Sequence, residues 1–225
     1  MDVRTDPVPS CVILGGGGHA KVLIDCLLAS GSSLGCSILD SDRSRWGQEL
    51  LGVPIIGDDS LLPTLASRGA KCFVVGLGST GDNEPRRRVF ELALSYDLEP
   101  LAVAHPSAIC SKWAMVGPGS QFLTRSVINA GAILGANVIV NSGAIVEHDC
   151  VLGDHVHVAT GAQLASTVQV GDGAHIGAGA TVRQNITIGD RAIVGAGAVV
   201  VKDVPPGLVV VGVPARPMRE VTKEG

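Results

Sequence analysis

From Val116 onward a large apolar residue returns at every sixth position without a miss: Val116, Phe122, Ile128, Leu134, Val140, Val146, Leu152, Val158, Leu164, Val170, Ile176, Val182, Ile188, Val194 and Val200. Four places after each of these fifteen stands Ser, Ala, Val, Cys or Ile, mostly small. Neither a helix, with its period near 3.6, nor an ordinary strand, with its period of 2, produces such a pattern. A sustained six-residue period predicts a parallel β-helix. Each hexad supplies one short strand and a turn, and three hexads close a triangular coil. The fifteen hexads predict five coils, each rising ~4.8 Å. The long residue fills the interior, and the small one lets the neighbouring face close in. Gly, Asn and Asp at the turns accept backbone angles that other residues resist. The period leaves the hand open, and the ordinary crossover rule by itself favours a right-handed helix.

Composition narrows the function classes. Aromatic residues are 3% of the chain against 46% apolar, so the core must be built from Val, Ile, Leu and Ala. A net charge of -4 without a basic block gives no footprint for nucleic acid. No apolar run approaches the ~20 residues of a membrane span. The start MDVRTDPVPS carries acids and prolines where a signal peptide needs a basic start and an apolar run. The six cysteines are scattered without a CxxC pair, so reduced thiols and a cytoplasmic location are expected, with no metal site among them.

The first hundred residues follow a different pattern. The apolar run Cys11–Leu14 leads into GGGGHA, and a helical stretch follows from Ala20 to Ala29, ended by Gly31. Cys36–Leu39 reads as a second strand ending in Asp40-Ser41-Asp42, and 71–75 as a third ending in GLGST. Helical periodicity then runs from Glu84 to Tyr96. The predicted organisation is therefore an α/β unit, 1–103, with a small three-stranded Rossmann-like parallel sheet, followed by a β-helix with a C-terminal tail, 104–225. GGGGHA fits G-x-G-x-x-A when read as Gly15, Gly17 and Ala20. Such a loop between strand and helix offers N–H groups to phosphate oxygens. The same loop also serves tight strand–helix packing. Asp40, at the end of the second strand, is placed where an acid takes ribose hydroxyls. A mononucleotide diphosphate is the better guest, since the sheet is short for a dinucleotide. Candidate contacts are Gly15, Gly16, Gly17, Gly18, His19, Asp40, Ser41, Asp42 and Gly78, with His19 equally open to a packing role.

The hexads resemble those of the left-handed β-helix acyltransferases, with their [LIV]-[GAED]-x-x-[STAV]-x pattern. The tail GVPARPM, Gly212 to Met218, is similar to the segment that closes the coenzyme A site in that superfamily. GGGGHAKV, together with His148-Asp149 and a histidine nine residues later, narrows the likeness. Over roughly residues 11 to 220 the chain resembles the bacterial acetyltransferases of nucleotide-linked 4-amino-4,6-dideoxy sugars, of the bacillosamine and perosamine types, and the related sialic acid O-acetyltransferases. The resemblance implies a left hand, acetyl-CoA as co-substrate, a nucleotide-linked amino sugar at the glycine loop, and a homotrimer with sites between subunits. It implies O-acetylation of a sialic acid or related sugar as the alternative.

The stretch VEHDCVLGDHVHV, residues 146–158, concentrates the candidate chemistry. Val146 and Leu152 belong to the inward column, which leaves His148 and Asp149 on an outward turn. By the resemblance, His148 is the general base that takes a proton from the attacking amine, a role suited to an imidazole near neutral pH. Asp149, rather than Glu147, is the expected orienting acid. His157 is implied beside the coenzyme, with Gly212, Pro214, Ala215 and Arg216. The backbone N–H of Ser166, where relatives often carry Gly, is the implied oxyanion donor. Cys150 fills a small inward slot and reads as packing. Ser166 and His175 stand one coil, eighteen residues, after His148 and His157; His155 and His175 read as surface residues. Left-handed β-helices also include the γ-type carbonic anhydrases, which bind zinc through three histidines. The spacing of His148, His155, His157 and His175 does not match theirs.

Overall fold

The structure, a computed structural model, describes residues 8–221. The acidic, proline-bearing start through Pro7 lies outside the described residues. Two compact units emerge: residues up to Gly78 with Pro85–Val103, and Ser79–Glu84 with the chain from Ala104.

The first unit is built on β1 (Cys11–Leu14), β2 (Cys36–Leu39), β3 (Glu49–Leu50), β4 (Val53–Gly57), β5 (Cys72–Val75) and β6 (Glu99–Pro100). Helices α1 (Gly18–Ala29), α2 (Leu62–Ser67) and α3 (Glu84–Leu94) connect them. The sheet order is β3-β4-β2-β1-β5-β6, with every pair parallel except β3–β4. The expected three strands are thus the centre of a six-stranded sheet. β1 reads CVIL and is wholly buried, as a central parallel strand covered on both faces should be. The β3–β4 hairpin escaped the sequence reading because its turn is Leu51-Gly52, both at positive φ (52° and 80°). That primed geometry usually advertises itself as Asn-Gly. β6 is two residues long and has no period to read.

The second unit is a left-handed parallel β-helix whose three faces are sheets of eight, six and five strands. The strand Ile109–Cys110 shows that winding begins before the first predicted hexad, and Leu208–Val211 extends it beyond the last. Every inward residue from Phe122 to Val200 is at most 5% exposed. Val116 departs from the pattern, at 37% exposed. The small fifth residues, among them Ala132, Ala144, Cys150, Ala162 and Ala174, are fully buried. Each inward pair therefore stacks in register, as Val146 does on Leu164 and Leu164 on Val182.

One edge of the prism carries a column absent from the other two. Gly117, Gly135, Gly153, Gly171 and Gly189 recur every eighteen residues, and a Cβ at any of them would meet an atom of the next coil at 2.1–2.4 Å. The space serves a chain of aspartates. Asp154 Oδ1 accepts the Ala136 N–H at 2.7 Å, Asp172 Oδ1 accepts that of Asp154 at 2.9 Å, and Asp190 Oδ1 that of Asp172 at 3.1 Å. These bonds satisfy turn N–H groups that the strand ladders leave over.

Candidate active site

His148 and Asp149 lie on another edge, in the turn after the strand Ile145–Val146. Asp149 takes the left-handed conformation (φ 59°), which turns its carboxylate back onto its neighbour. Asp149 Oδ2 stands 2.8 Å from His148 Nδ1. A carboxylate can only accept, so the contact calls for a proton on Nδ1, and in the neutral ring that puts the lone pair on Nε2; the side chain is 56% exposed. Glu147 is engaged elsewhere, accepting from Asn129 Nδ2 at 2.8 Å. The choice between the two acids thus falls to Asp149 as partner of the ring.

The turn has its own vertical logic. Gly131, Asp149, Thr167 and Asn185 are spaced by eighteen and all have positive φ. Thr167 Oγ1 donates to Asn185 Oδ1 at 2.5 Å. A Cβ on Gly131 would fall 2.4 Å from Asp149 Oδ1, so this glycine makes room for the carboxylate that holds His148. Gly131→Ala is expected to swing Asp149 off the ring and lower kcat by roughly tenfold to a hundredfold. Steady-state kinetics beside the unsubstituted protein would check this.

Ser166 lies one coil on from His148. Its carbonyl accepts from Asn185 N–H at 3.2 Å, while its own N–H donates to no acceptor among the described residues. Ser166 is not among the positive-φ residues, so its side chain brings no left-handed backbone strain to the turn.

His157 and His175 stand one coil apart as their spacing predicts, and burial corrects the reading of His175 as a surface residue. They stack on adjacent strands in register, with ring centroids 4.9 Å apart in an edge-on arrangement. Neither is on the surface: they are 3% and 5% exposed. The segment Ser79–Glu84 covers them. Ser79 Oγ lies 2.9 Å from His157 Nδ1 and 3.4 Å from His175 Nδ1, and donates to Asn83 Oδ1. Asn141 Nδ2 donates to His157 Nε2 at 3.1 Å. Asn83 Nδ2 donates to the carbonyls of Gly173 and Ala174, both at 3.0 Å. His157 has both ring nitrogens engaged in a polar network with Ser79 and Asn141. No local pattern announces Ser79 and Asn83, which reach the coils across more than seventy residues of sequence. His155 keeps a turn, at φ 60°, with its Nδ1 3.0 Å from Asn137 Nδ2.

Burial pushes the His175 imidazole down from 6.5 to about 4. A base whose folded pKa is depressed binds its proton first in the unfolded chain, so stability is complete above about 6.5 and falls as pH drops toward 4. The loss should approach about 3 kcal/mol at the acid end. In urea unfolding followed from pH 7 to pH 4, His175→Gln should flatten that slope.

In the α/β unit the four glycines divide into two pairs. Gly15 (φ 95°) and Gly16 are packing residues. A Cβ would meet Leu77 at 2.4 Å from the first, and Asp40 Oδ2 at 2.8 Å from the second. Gly17 and Gly18 face open space, and α1 begins at Gly18 with no side chain capping it, so the Gly17 and Gly18 N–H groups are available to an anion. Asp40 is committed to the loop. Its Oδ2 accepts the Gly16 N–H at 2.8 Å and Arg45 Nη1 at 2.9 Å, and its Oδ1 accepts the Asp42 N–H at 2.9 Å. Asp40 thus ties the glycine loop to Arg45 and to the turn that follows the second strand. Asp42 caps a short turn through Ser44, whose hydrogen bonds hold its carboxyl below the usual range. Ser41 is exposed beside them. Arg45 was missed in the sequence; its Nη2 also binds the Gly16 carbonyl at 2.6 Å. A Cβ on Gly78 would touch His19 at 3.4 Å, placing these two candidates side by side. Trp46 donates through Nε1 to the Asp40 carbonyl at 2.8 Å and borders a cavity of about 340 Å³ with Asp58, Ser60 and Leu61.

The tail candidates sit at the far end of the β-helix. Gly212 has φ 93°, the Val213–Pro214 bond is cis, and the Ala215 N–H binds the Val199 carbonyl at 2.8 Å. Arg216–Glu220 then pairs antiparallel with Leu208–Val211. A cavity of about 360 Å³ opens beside the tail, lined by Lys202, Pro205, Leu208, Ala215 and Arg216 among others. Lys202 is a second cation there that sequence reasoning passed over. Among the described residues no three His, Cys, Asp or Glu are arranged to hold a metal ion, and no helix is long and apolar enough to cross a membrane.

Residues 10–93 match the PglD N-terminal domain, and residues 167–202 match the bacterial transferase hexapeptide (six repeats). No curated protein matches the chain. Among solved structures it is similar to perosamine N-acetyltransferase from Caulobacter crescentus, at 39% identity over 93% of this chain and 97% of that one, with a TM-score of 0.87. That protein was crystallised with CoA and GDP-perosamine, including as variants in which a histidine is replaced. It is also similar to the acetyltransferase domain of PglB from Neisseria gonorrhoeae, at 36% identity over 92% and 98% of the two chains, with a TM-score of 0.85. That domain has been seen with acetyl coenzyme A. WeeI from Acinetobacter baumannii matches at 27% identity over 92% and 99%, with a TM-score of 0.73. With this likeness running through both units, the chain belongs to the left-handed β-helix, hexapeptide-repeat family of acetyl-CoA-dependent sugar N-acetyltransferases.

Proposed function

We propose that this protein moves acetyl from acetyl-CoA to the 4-amino group of a nucleotide-linked 4-amino-4,6-dideoxy sugar by direct attack, with His148 as general base. The observation that carries the reading is the His148–Asp149 pair, 2.8 Å apart, with Nε2 free and outward. The amine nitrogen attacks the thioester carbon while His148 Nε2 takes its proton, the C–S bond breaks, and the CoA thiolate leaves. Asp149 holds the ring and stabilises the imidazolium. The Ser166 N–H meets the developing oxyanion.

The remaining roles follow the two units. The nucleotide diphosphate is held at the open N–H groups of Gly17 and Gly18, on a loop kept in shape by Gly15, Gly16, Asp40 and Arg45. His19 and Gly78 border that loop, and Ser41 and Asp42 its far side. Acetyl-CoA lies along the β-helix toward Gly212, Pro214, Ala215 and Arg216, where Lys202 and Arg216 suit its phosphates. His157 contributes by anchoring the Ser79–Glu84 segment. The protein works as a homotrimer in the cytoplasm. Exposed Trp113, Met115 and Ile133 (70%, 59% and 39%) supply apolar surface for subunit contact, and six free thiols suit a reducing compartment.

The test is acetyl-CoA turnover against UDP-, GDP- and dTDP-linked 4-amino sugars, beside free sialic acid. Thiol release with one nucleotide-linked amine, and none with sialic acid, is the expected result. Turnover of free sialic acid alone would overturn the reading in favour of O-acetylation.

A further inference from the structure

Three of the six cysteines share one end of the α/β sheet. In the register of the central strands Cys11 is opposite Cys36 on β2 and opposite Cys72 on β5. The strand order β2-β1-β5 therefore sets the three in a row with Cys11 in the middle. Residues directly opposite in parallel strands point to the same face, here the face on which Ile13 and Ile38 pack and against which Cys36 rests. Cys11 is 0% exposed, while Cys36 and Cys72 are partly open to solvent. All three are free.

We propose that this row is a peroxide-reactive thiol site, in which Cys72 is oxidised and Cys11 resolves it to a disulfide, with Cys36 as the alternative partner. Neighbouring strands stand ~4.8 Å apart, within the ~4.4–6.8 Å that a disulfide spans. Cys36 and Cys72 are two strands apart, roughly 9.6 Å, beyond that reach. Cys11 is thus common to both possible bridges, and only one can form at a time. A row of this kind does not enclose a metal ion, whose ligands must converge.

Burial assigns the roles, since peroxide can reach the partly open Cys72 and Cys36 but not Cys11, and the electrostatics agree. Hydrogen bonding from Cys11 lowers the Cys72 thiol to about 7 and also lowers Cys36. The same bonds and burial push Cys11 up, so it remains the proton-bearing thiol. The Cys72 thiolate attacks a peroxide oxygen, an S–O bond forms, the O–O bond breaks, and hydroxide leaves as water after protonation. The Cys11 sulfur then attacks the Cys72 sulfur. The S–S bond forms, the S–O bond breaks, and hydroxide departs with the Cys11 proton as a second water. The two thiols lose two electrons, and the peroxide gains them.

The test uses the full chain and hydrogen peroxide. The titratable thiols of the denatured protein should fall from six to four after stoichiometric treatment, and return with dithiothreitol. A non-reducing peptide map should show Cys11 joined to Cys72, or to Cys36, and never Cys36 joined to Cys72. At pH 7 iodoacetamide should modify Cys72 at least about tenfold faster than the exposed Cys110, whose thiol is pushed up. Cys11→Ala should abolish the bridge and leave Cys72 as a sulfenic acid captured by dimedone. Cys72→Ser, which spares the buried position, should remove the fast phase and leave only slow Cys11–Cys36 pairing. A Cys36–Cys72 bridge, bridging that survives Cys11→Ala, or a Cys72 no faster than Cys110 would overturn the proposal.

Discussion

His148→Asn is expected to lower kcat by roughly 10²–10⁴-fold, the usual worth of a positioned general base. The unfolding free energy should change by no more than about 0.5 kcal/mol, as for other exposed positions. The side chain is outward and its one strong partner is Asp149, so asparagine leaves no buried group stranded. An amine attacking a thioester must shed a proton, and an amide cannot take it. Asp149→Asn should cost less, because the imidazole remains but loses the acceptor that selects its tautomer. Single-turnover rates with saturating acetyl-CoA separate these losses from weaker binding. A full rate in His148→Asn would remove the base from the mechanism while leaving family membership untouched.

Leu164→Ala should destabilise the β-helix by about 2–5 kcal/mol, read from the urea midpoint at unchanged slope. Leu164 is 0% exposed and stacks between Val146 and Val182. Those neighbours are fixed by strand ladders above and below, so the coil cannot collapse into the space a leucine leaves. Ala165 follows it directly and its N–H donates to the Val182 carbonyl at 3.0 Å, so the same substitution should also raise hydrogen exchange at the Ala165 N–H.

The inward column from Phe122 to Val200 was legible residue by residue, because the β-helix repeats one local rule and the period is that rule. The same phase sent His148 and Asp149 outward and Cys150 inward. What stayed hidden was carried by long-range partners. Nothing near His175 announces that Ser79 and Asn83 will cover it, so a buried histidine read as a surface one. Asp40 was legible as the acid at the end of the second strand, but its partners Arg45 and the Gly16 N–H were not. Extra strands of two to five residues are too short for periodicity to reveal. The pairing of His148 with Asp149 over Glu147 turned on one positive φ, a choice that composition does not encode.

The apolar hexad by itself is ambiguous, since a chain wound with a six-residue slip would bury the same kind of side chain everywhere. The glycine–aspartate column removes that freedom. Shifted by one hexad, Gly153 would give way to Glu147 or Ala159, and the place needed by the Asp172 carboxylate would hold a Cβ. The column works as a reading frame: it tells each coil which of three otherwise equivalent corners it is turning. It is thereby what brings Ser166 to the same corner as His148, eighteen residues before it, and keeps a catalytic edge from being dealt out among three.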